Sequence, residues 1–330
     1  MSQLIKDKAL ELGYLACGII PAAEFFEYHR ILDERIEAFP DSKNLYKRFH
    51  KLSRLPDAGK SIVVCTCSFS DYLTPDSLDG RIGKTYLFDS RIPYSFEYRA
   101  RKEFEAFLGT LGIGVLEGNV PARFVAAKAG LGKFGYNNFL YCEDHGSNIW
   151  IDTWIVDIEL DYDDIPKNLY LHECSDSCRR CVDACPTGAL ADSFSMDMGK
   201  CITHLQFEDE VLDEALWSQM GEWLYGCDAC QDVCPLNMGL PKGANAFPLL
   251  SEFEELLKLE SVLDIDEEVY VKILNPRFWY ANECGSWLWK RNALLNMINS
   301  GDSKYRRLIE RCCSHDDARL REIAQWGCRG

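Results

Sequence analysis

Apolar residues recur along the first half of the chain in two rhythms. Leu4, Ala9, Leu12 and Leu15 fall at near-helical spacing, which predicts a helix over residues 5–15. Ala16, Cys17, Gly18, Ile19 and Ile20 then read as a short strand that Pro21 ends. A second helical pattern covers residues 22–39. A loop follows at Pro56, Asp57, Ala58 and Gly59. Residues 61–67 then form a nearly unbroken apolar run, the pattern of a buried strand. Residues 94–111 are helix-patterned again. Residues 149–160 are rich in β-branched side chains, with acids at 152, 157 and 159, and predict another strand. Residues 1–165 therefore read as one α/β unit.

The rhythm breaks at residue 166. Through residue 245 the apolar runs are short, cysteines are dense and Cys-Pro occurs twice. This stretch reads as a small domain organised by a cofactor. Residues 246–330 are helical in pattern, with Trp279, Trp287, Trp289, Leu294, Leu295, Leu308, Ile309, Leu320 and Ile323 as core positions. No apolar run reaches the roughly 18 residues that a membrane-crossing helix needs. The first residues mix charges of both signs and lack an apolar signal core, so a cytoplasmic monomer is expected.

Composition changes this picture in two ways. The chain has 330 residues, 36 basic and 52 acidic, for a net charge of −16. An acidic field repels phosphate backbones and argues against a nucleic-acid partner, although a local basic patch would override it. Sixteen cysteines is a high count for a cytosolic chain. Disulfides are disfavoured in that compartment, and clustered thiols there hold metal.

Eight of those cysteines form a pattern. The first motif is Cys174-x3-Cys178-x2-Cys181-x3-Cys185-Pro186. The second is Cys227-x2-Cys230-x3-Cys234-Pro235, with Cys201 alone between them. Eight thiolates suit two [4Fe–4S] clusters in a ferredoxin-like domain, because thiolate is a soft anionic ligand. In two-cluster ferredoxins the cysteine before proline ligates the other cluster. That exchange groups Cys174, Cys178, Cys181 and Cys234 around one cluster, and Cys185, Cys201, Cys227 and Cys230 around the other. Cys174 departs from the usual spacing by one residue. A pair of zinc sites is the alternative, since zinc also uses C-x2-C pairs. Cys17, Cys65, Cys67, Cys142, Cys284, Cys312, Cys313 and Cys328 lie outside the motifs and read as small buried hydrophobes. Cys65 and Cys67 share one strand face.

The chain resembles a known family, the cobalamin-dependent epoxyqueuosine reductases, whose iron–sulfur core is shared with reductive dehalogenases. The segment from Ala129 through Gly130, Leu131, Gly132 and Gly135 to Asn137 is similar to the family's AGLGxxGKN stretch. Gly146-Ser147 resembles its GS segment. The motifs around Cys181–Cys185 and Cys227–Cys234, and Cys201-Ile202-Thr203, are close to its cluster motifs. Residues 287–296 and 324–326 resemble its short, all-α HEAT-like tail. The resemblance implies a corrinoid held over one cluster, with Gly130, Gly132, Gly135, Asn137, Gly146 and Ser147 as cofactor-binding residues. The glycines allow close approach to a flat ligand, or simply a tight strand–helix connection. It also implies a low-potential electron donor such as ferredoxin or flavodoxin.

The departures lie on the catalytic side. The family's D-x-x-P-x-x-E-R segment has no counterpart to its aspartate in the stretch from Glu117 to Arg123. Glu117 is a replacement acid, or a solvated loop residue. Tyr136 stands where the family has lysine, and is a candidate proton donor or an aromatic wall. The six histidines, at 29, 50, 145, 172, 204 and 315, are candidate cobalt ligands by chemistry alone. The main expectation is a corrinoid-dependent reductase of a small molecule or modified nucleoside, with tRNA doubtful. Reduction of epoxyqueuosine in tRNA is the alternative, and would need Lys47, Arg48, Lys51, Arg54 and Lys60 near the site. A corrinoid-free electron carrier is the alternative of another class.

Overall fold

The computed structural model describes residues 1–88, 95–171, 174, 177–191, 194–209, 212–240, 243–278, 280, 281 and 285–329. Trp279, Cys284 and His172 lie outside the described residues. The N-terminal unit is built on a four-stranded sheet of order β1-β2-β7-β4. Its strands are β1 (Ala16–Pro21), β2 (Ser61–Ser68), β4 (Val115–Leu116) and β7 (Ile149–Val156). Every pairing is antiparallel. Short strands β3 (Tyr72–Leu73), β5 (Lys133–Phe134), β6 (Leu140–Tyr141) and β8 (Asn245–Ala246) form two small ribbons outside it.

The unbroken apolar run of β2 has a simple cause. The strand lies between β1 and β7, and both of its faces are covered. Val63, Cys65 and Cys67 face one core with Ile5, Ala9, Phe104 and Leu108. Those partners come from helices α1 (Ser2–Glu11) and α5 (Phe96–Thr110). Ile62 and Val64 face a second core with Phe124, Val125, Ala126 and Ala127. That core is supplied by α6 (Ala122–Lys128). Period two thus splits one strand between two cores.

The predicted elements shift at their ends for local reasons. α1 stops at Glu11 because Gly13 turns the chain at φ 90°. Helix α2 (Phe26–Ala38) starts four residues late, after the turn that follows Pro21, and stops before Pro40. β7 ends at Val156, where Asp157 turns away and accepts from the Gly114 N–H at 2.9 Å. Helix α3 (Lys43–Leu52) has no counterpart among the predicted elements.

The cluster region is a chain of short helices: α4 (Lys84–Leu87) beside it, then α7 (Arg180–Asp183), α8 (Ile202–Phe207), α9 (Glu214–Trp217), α10 (Ala229–Asp232) and α11 (Pro235–Met238). The C-terminal region is helical as expected. Its elements include α12 (Leu250–Phe253), α13 (Leu259–Leu263), α14 (Glu267–Val269), α15 (Asn275–Arg277), α16 (Trp287–Ser300), α17 (Arg306–Cys312) and α18 (Ala318–Gly327). The core does not divide with the composition. One apolar cluster runs from Ile5 through Leu205 and Tyr225 to Ala324. β3 pairs with β8, and the buried Arg277 bonds to the Leu87 carbonyl.

Helix α16 is the strut of this arrangement. Its apolar residues fill the core, and its polar residues Arg291, Asn292 and Asn296 are buried while Asn299 is half-buried. They satisfy carbonyls of the loop between the two cysteine motifs. Arg291 Nη2 donates to Leu205 O at 2.8 Å and Nη1 to Glu208 O at 3.1 Å. Asn292 Nδ2 donates to Leu224 O at 3.2 Å, and Asn299 Nδ2 to Trp217 O at 2.9 Å. Asn296 reaches Glu222 O. Asn292→Leu keeps the branched heavy-atom shape but strands the buried Leu224 carbonyl. It should cost about 2 kcal/mol in a urea melt of the cluster-loaded protein. An unchanged midpoint would show that α16 holds the loop by apolar packing alone.

Candidate metal centre and the cleft beside it

The eight motif cysteines come from loops and helix ends. Cys201 precedes α8, Cys230 lies in α10, and Cys234 precedes α11 with Pro235 at its first position. Proline there costs nothing, because the first helical N–H has no intrahelical partner. Cys174, Cys178, Cys181 and Cys234 line one hollow, together with Gly135, Tyr136, Asn137 and Tyr141. Burial pushes the Cys181 thiol up to about 11, and neighbouring Cys174, Cys234 and Cys178 add to it. The other four meet nearby. Burial raises Cys227, and so do Cys201 and Cys185. Burial raises Cys230, with Cys227 and Cys201 beside it. Thiols crowded and buried in this way resist ionising alone, and metal binding must displace their protons. A cubane takes one thiolate at each iron, and each group supplies four.

The residues assigned to a corrinoid by resemblance sit at the joint between the sheet unit and the cysteine motifs. A side chain at Gly132 would strike the Tyr141 carbonyl at 2.6 Å, and one at Gly135 would strike the Tyr141 ring. Gly146, at φ 56°, leaves room for the Asn237 side chain. Gly130 turns the chain at φ 76° after α6. Asn137 is buried and donates to Tyr141 Oη at 2.9 Å and to Cys230 O at 3.1 Å. Ser147 N–H donates to Asn237 Oδ1 at 2.9 Å, and Ser147 Oγ pairs with Gln231 Oε1 at 2.9 Å. Asn137, Gly146 and Ser147 thus join the sheet unit to the second cysteine motif, while Gly132 and Gly135 make room for Tyr141. Gln231 in turn donates to Asp228 Oδ1 at 2.8 Å. Burial holds the Asp228 carboxyl up at about 6, partly offset by Lys84, whose N–H reaches it at 2.7 Å.

Of the two candidate proton donors, Tyr136 is buried beside the first thiol group, edge-on to Phe194 with ring centroids 4.6 Å apart. Glu117 is exposed in the loop between β4 and α6. Cys65 and Cys67 are buried as expected. Cys328 departs from that reading: it is exposed, with Sγ 3.2 Å from Cys313 Sγ. His204, three residues after Cys201, lies 3.3 Å from Glu208, and burial lowers its pKa.

A second feature escaped the sequence reading. Tyr86 and Tyr280 line a small cleft with Trp150, Tyr225 and Phe278, and Arg123, at the start of α6, lies exposed near it. Tyr28, Tyr86, Tyr280 and Cys230 of the second thiol group are within electrostatic reach of Arg123. Tyr86 faces Tyr280 edge-on at 5.4 Å, and Cys201 stands beside it. Burial keeps the Tyr86 phenol protonated. Phe207 stacks on Tyr280 at 5.8 Å. The aromatic faces at this cleft, close to Cys201 of the second thiol group, suit contact with a flat ligand.

Residues 173–237 match the family described as a 4Fe-4S double cluster binding domain, a range that includes all eight cysteines. The chain is 30% identical over 307 residues to an epoxyqueuosine reductase of Cellulophaga algicola, covering 85% of this chain and 94% of that one. It is 32% identical to an epoxyqueuosine reductase of Cyclobacterium marinum over 72% of this chain and 79% of that one. The chain belongs to the epoxyqueuosine reductase family. Its fold is that of an epoxyqueuosine reductase crystallised with a tRNA-Tyr epoxyqueuosine-modified tRNA stem loop. The TM-score is 0.76 at 23% identity, over 99% of this chain and 88% of that one. As a member of this family the chain is an oxidoreductase with a double [4Fe–4S] domain. Among the described residues, no helix is long and apolar enough to cross a membrane.

Cys201→Ser removes one thiolate from the second group and leaves the first intact. Iron and sulfide should fall from about eight to about four of each per chain, since each cubane takes four thiolates. Stoichiometric zinc without sulfide in the wild-type protein would remove the iron–sulfur assignment.

Proposed function

We propose that this chain reduces the epoxide of a modified nucleoside in tRNA, drawing electrons through its two clusters. The observation that carries the reading is helix α3. Lys43, Lys47 and Lys51 recur every four residues and are all exposed, and Arg48 beside them is exposed too. The helix contains no acidic residue. It is fixed against the segment that leads into Cys201. Tyr46 is buried, its hydroxyl bonds to Met196 O, and it accepts from Met198 N–H at 3.3 Å. Ser42 bonds to Asp197 and accepts from Gly199 N–H at 3.0 Å. Arg48 lies near His204. A basic ridge therefore ends beside the second thiol group.

This reading replaces the expectation of a substrate other than tRNA. The net charge of −16 is an average over the whole surface, whereas counterion release depends on the few cations that touch phosphate. A family whose relatives carry the name epoxyqueuosine reductase over nearly the full chain points the same way.

Removing an epoxide oxygen as water takes two electrons and two protons. Cys174, Cys178, Cys181 and Cys234 would hold the cluster that receives electrons from a ferredoxin or flavodoxin. Cys185, Cys201, Cys227 and Cys230 would hold the one that faces the cleft. When bound there, a corrinoid supplies a low-potential metal centre able to deliver those electrons. Arg123, Tyr28, Tyr86 and Tyr280 would line its site and exclude water. Tyr86 Oη holds its proton within the cleft itself, in contrast to Tyr136 and Glu117.

The test is anaerobic reconstitution with iron, sulfide and cobalamin, then incubation with an epoxyqueuosine-containing stem loop and a low-potential reductant. Loss of one oxygen from the nucleoside is the expected outcome by mass spectrometry. Cobalamin that co-elutes with a protein unable to reduce the stem loop would point to another substrate. The ridge has its own readout. Replacing Lys43, Lys47 and Lys51 by Ala should weaken stem-loop binding and flatten its log–log salt dependence by about two units. An unchanged slope would take α3 out of the interface.

A further inference from the structure

Arg35 and Arg123 belong to different helices, α2 and α6, and yet converge on one residue. Arg35 Nη2 donates to Asn138 Oδ1 at 2.5 Å and to Phe194 O at 2.9 Å. Arg123 Nη1 donates to the Asn138 carbonyl at 3.2 Å. Asn138 sits at φ 62°, in the left-handed region that asparagine tolerates better than most residues. The Arg123 guanidinium lies over the Phe139 ring, 4.6 Å from its centroid, which fixes the plane of the fork. Both arginines lie close to Tyr28.

Neither arginine has a carboxylate at ion-pair distance among the described residues, in a chain with 52 acids. Two guanidiniums held around one residue repel each other, and among the described residues no carboxylate offsets that repulsion. Each has most of its five N–H donors left over. A planar, permanently charged fork matches the oxygens of a phosphate. Arg123 lies within electrostatic reach of Tyr86 and Tyr280 at the cleft, and Arg35 is on α2, against which α3 packs.

We propose that Arg35 and Arg123 form a phosphate subsite at the rim of the cleft, which takes one phosphodiester. Two ligands of this site carry that group: the RNA backbone beside the target nucleotide, and the nucleotide loop of cobalamin. The first source rests on the tRNA reading above; the second does not.

The experiment uses the full chain with both clusters reconstituted, as wild type, Arg35→Gln, Arg123→Gln and Arg123→Lys. Binding of an anticodon stem loop is followed by anisotropy at two salt concentrations. Binding of cobalamin, and of cobinamide, which lacks the phosphate, is followed by visible spectra. Each Gln variant should weaken the phosphate-bearing ligand roughly tenfold or more, as expected for lost hydrogen bonds to a charged group. Arg123→Lys should retain part of the affinity. If the stem loop weakens with a shallower salt slope while cobalamin is unaffected, the phosphate is that of RNA. If cobalamin weakens and cobinamide does not, it is that of the cofactor. Wild-type affinities throughout, or cobinamide weakening in step with cobalamin, would overturn the subsite, as would a wild-type protein that binds neither ligand. Stem-loop binding indifferent to the α3 lysines, alongside a cobalamin effect of Arg123→Gln, would sink the tRNA reading and leave the subsite standing. Iron content and far-UV circular dichroism check that each variant is folded, and Arg123→Lys carries the test if a Gln variant is not.

Discussion

The structure depends on one constraint: four thiols must be gathered around each cluster from segments far apart in the chain. Cys234 crosses to the group of Cys174, Cys178 and Cys181, and Cys185 crosses to the group of Cys201, Cys227 and Cys230. The loop between the motifs must therefore return to its starting point with little regular structure of its own. A loop carries backbone groups that need partners once they are buried. Here the partners come from outside it. Arg291, Asn292, Asn296 and Asn299 take its carbonyls from one side, on α16. Gln206 spans it from within, donating to Trp223 O at 2.7 Å and accepting from Gly226 N–H at 2.6 Å. The helical tail is thus part of the metal centre, and the shared apolar core is a consequence.

The same constraint explains the sheet unit's side of the joint. Asn137 and Ser147 lie on turns next to β5, β6 and β7, and they reach Cys230 O, Gln231 and Asn237 in the second motif. These contacts set where the sheet unit stands relative to the thiols, and so where the cleft opens. Residues that look like ligand contacts in a motif comparison can equally be the fixings that shape the ligand's space. Both uses select for small or amide side chains near glycine, because both require backbone to approach closely.

What was legible in the sequence follows from how local each signal is. The cysteine motifs were legible because ligation chemistry demands fixed residue types at short spacing. β1, β2 and β7 were legible because β-branched runs between turn residues have few other uses. The antiparallel order was not, since a strand buried on both faces looks alike in parallel and antiparallel sheets. Helix α3 was missed because it buries little beyond Tyr46, so its lysines read as a solvated face. Its meaning comes from Tyr46 and Ser42 gripping residues 196–199, contacts across 150 positions or more that no local window contains. Arg123 was named in the sequence as the end of a shortened motif, but its neighbours Tyr28, Tyr86 and Tyr280 come from three distant segments.

Cys230 shows how the parts meet. Its thiol lies among Cys227 and Cys201 of its own group and feels Cys181 of the other. Its carbonyl is held by Asn137 from the sheet unit. Arg123, near the cleft, lies close to the same thiol. One residue thus touches both clusters' ligand sets, the joint and the cleft. The two thiol groups approach each other at Cys230, and Arg123 lies near the same point. Moving the joint would move the thiol groups and the cleft together.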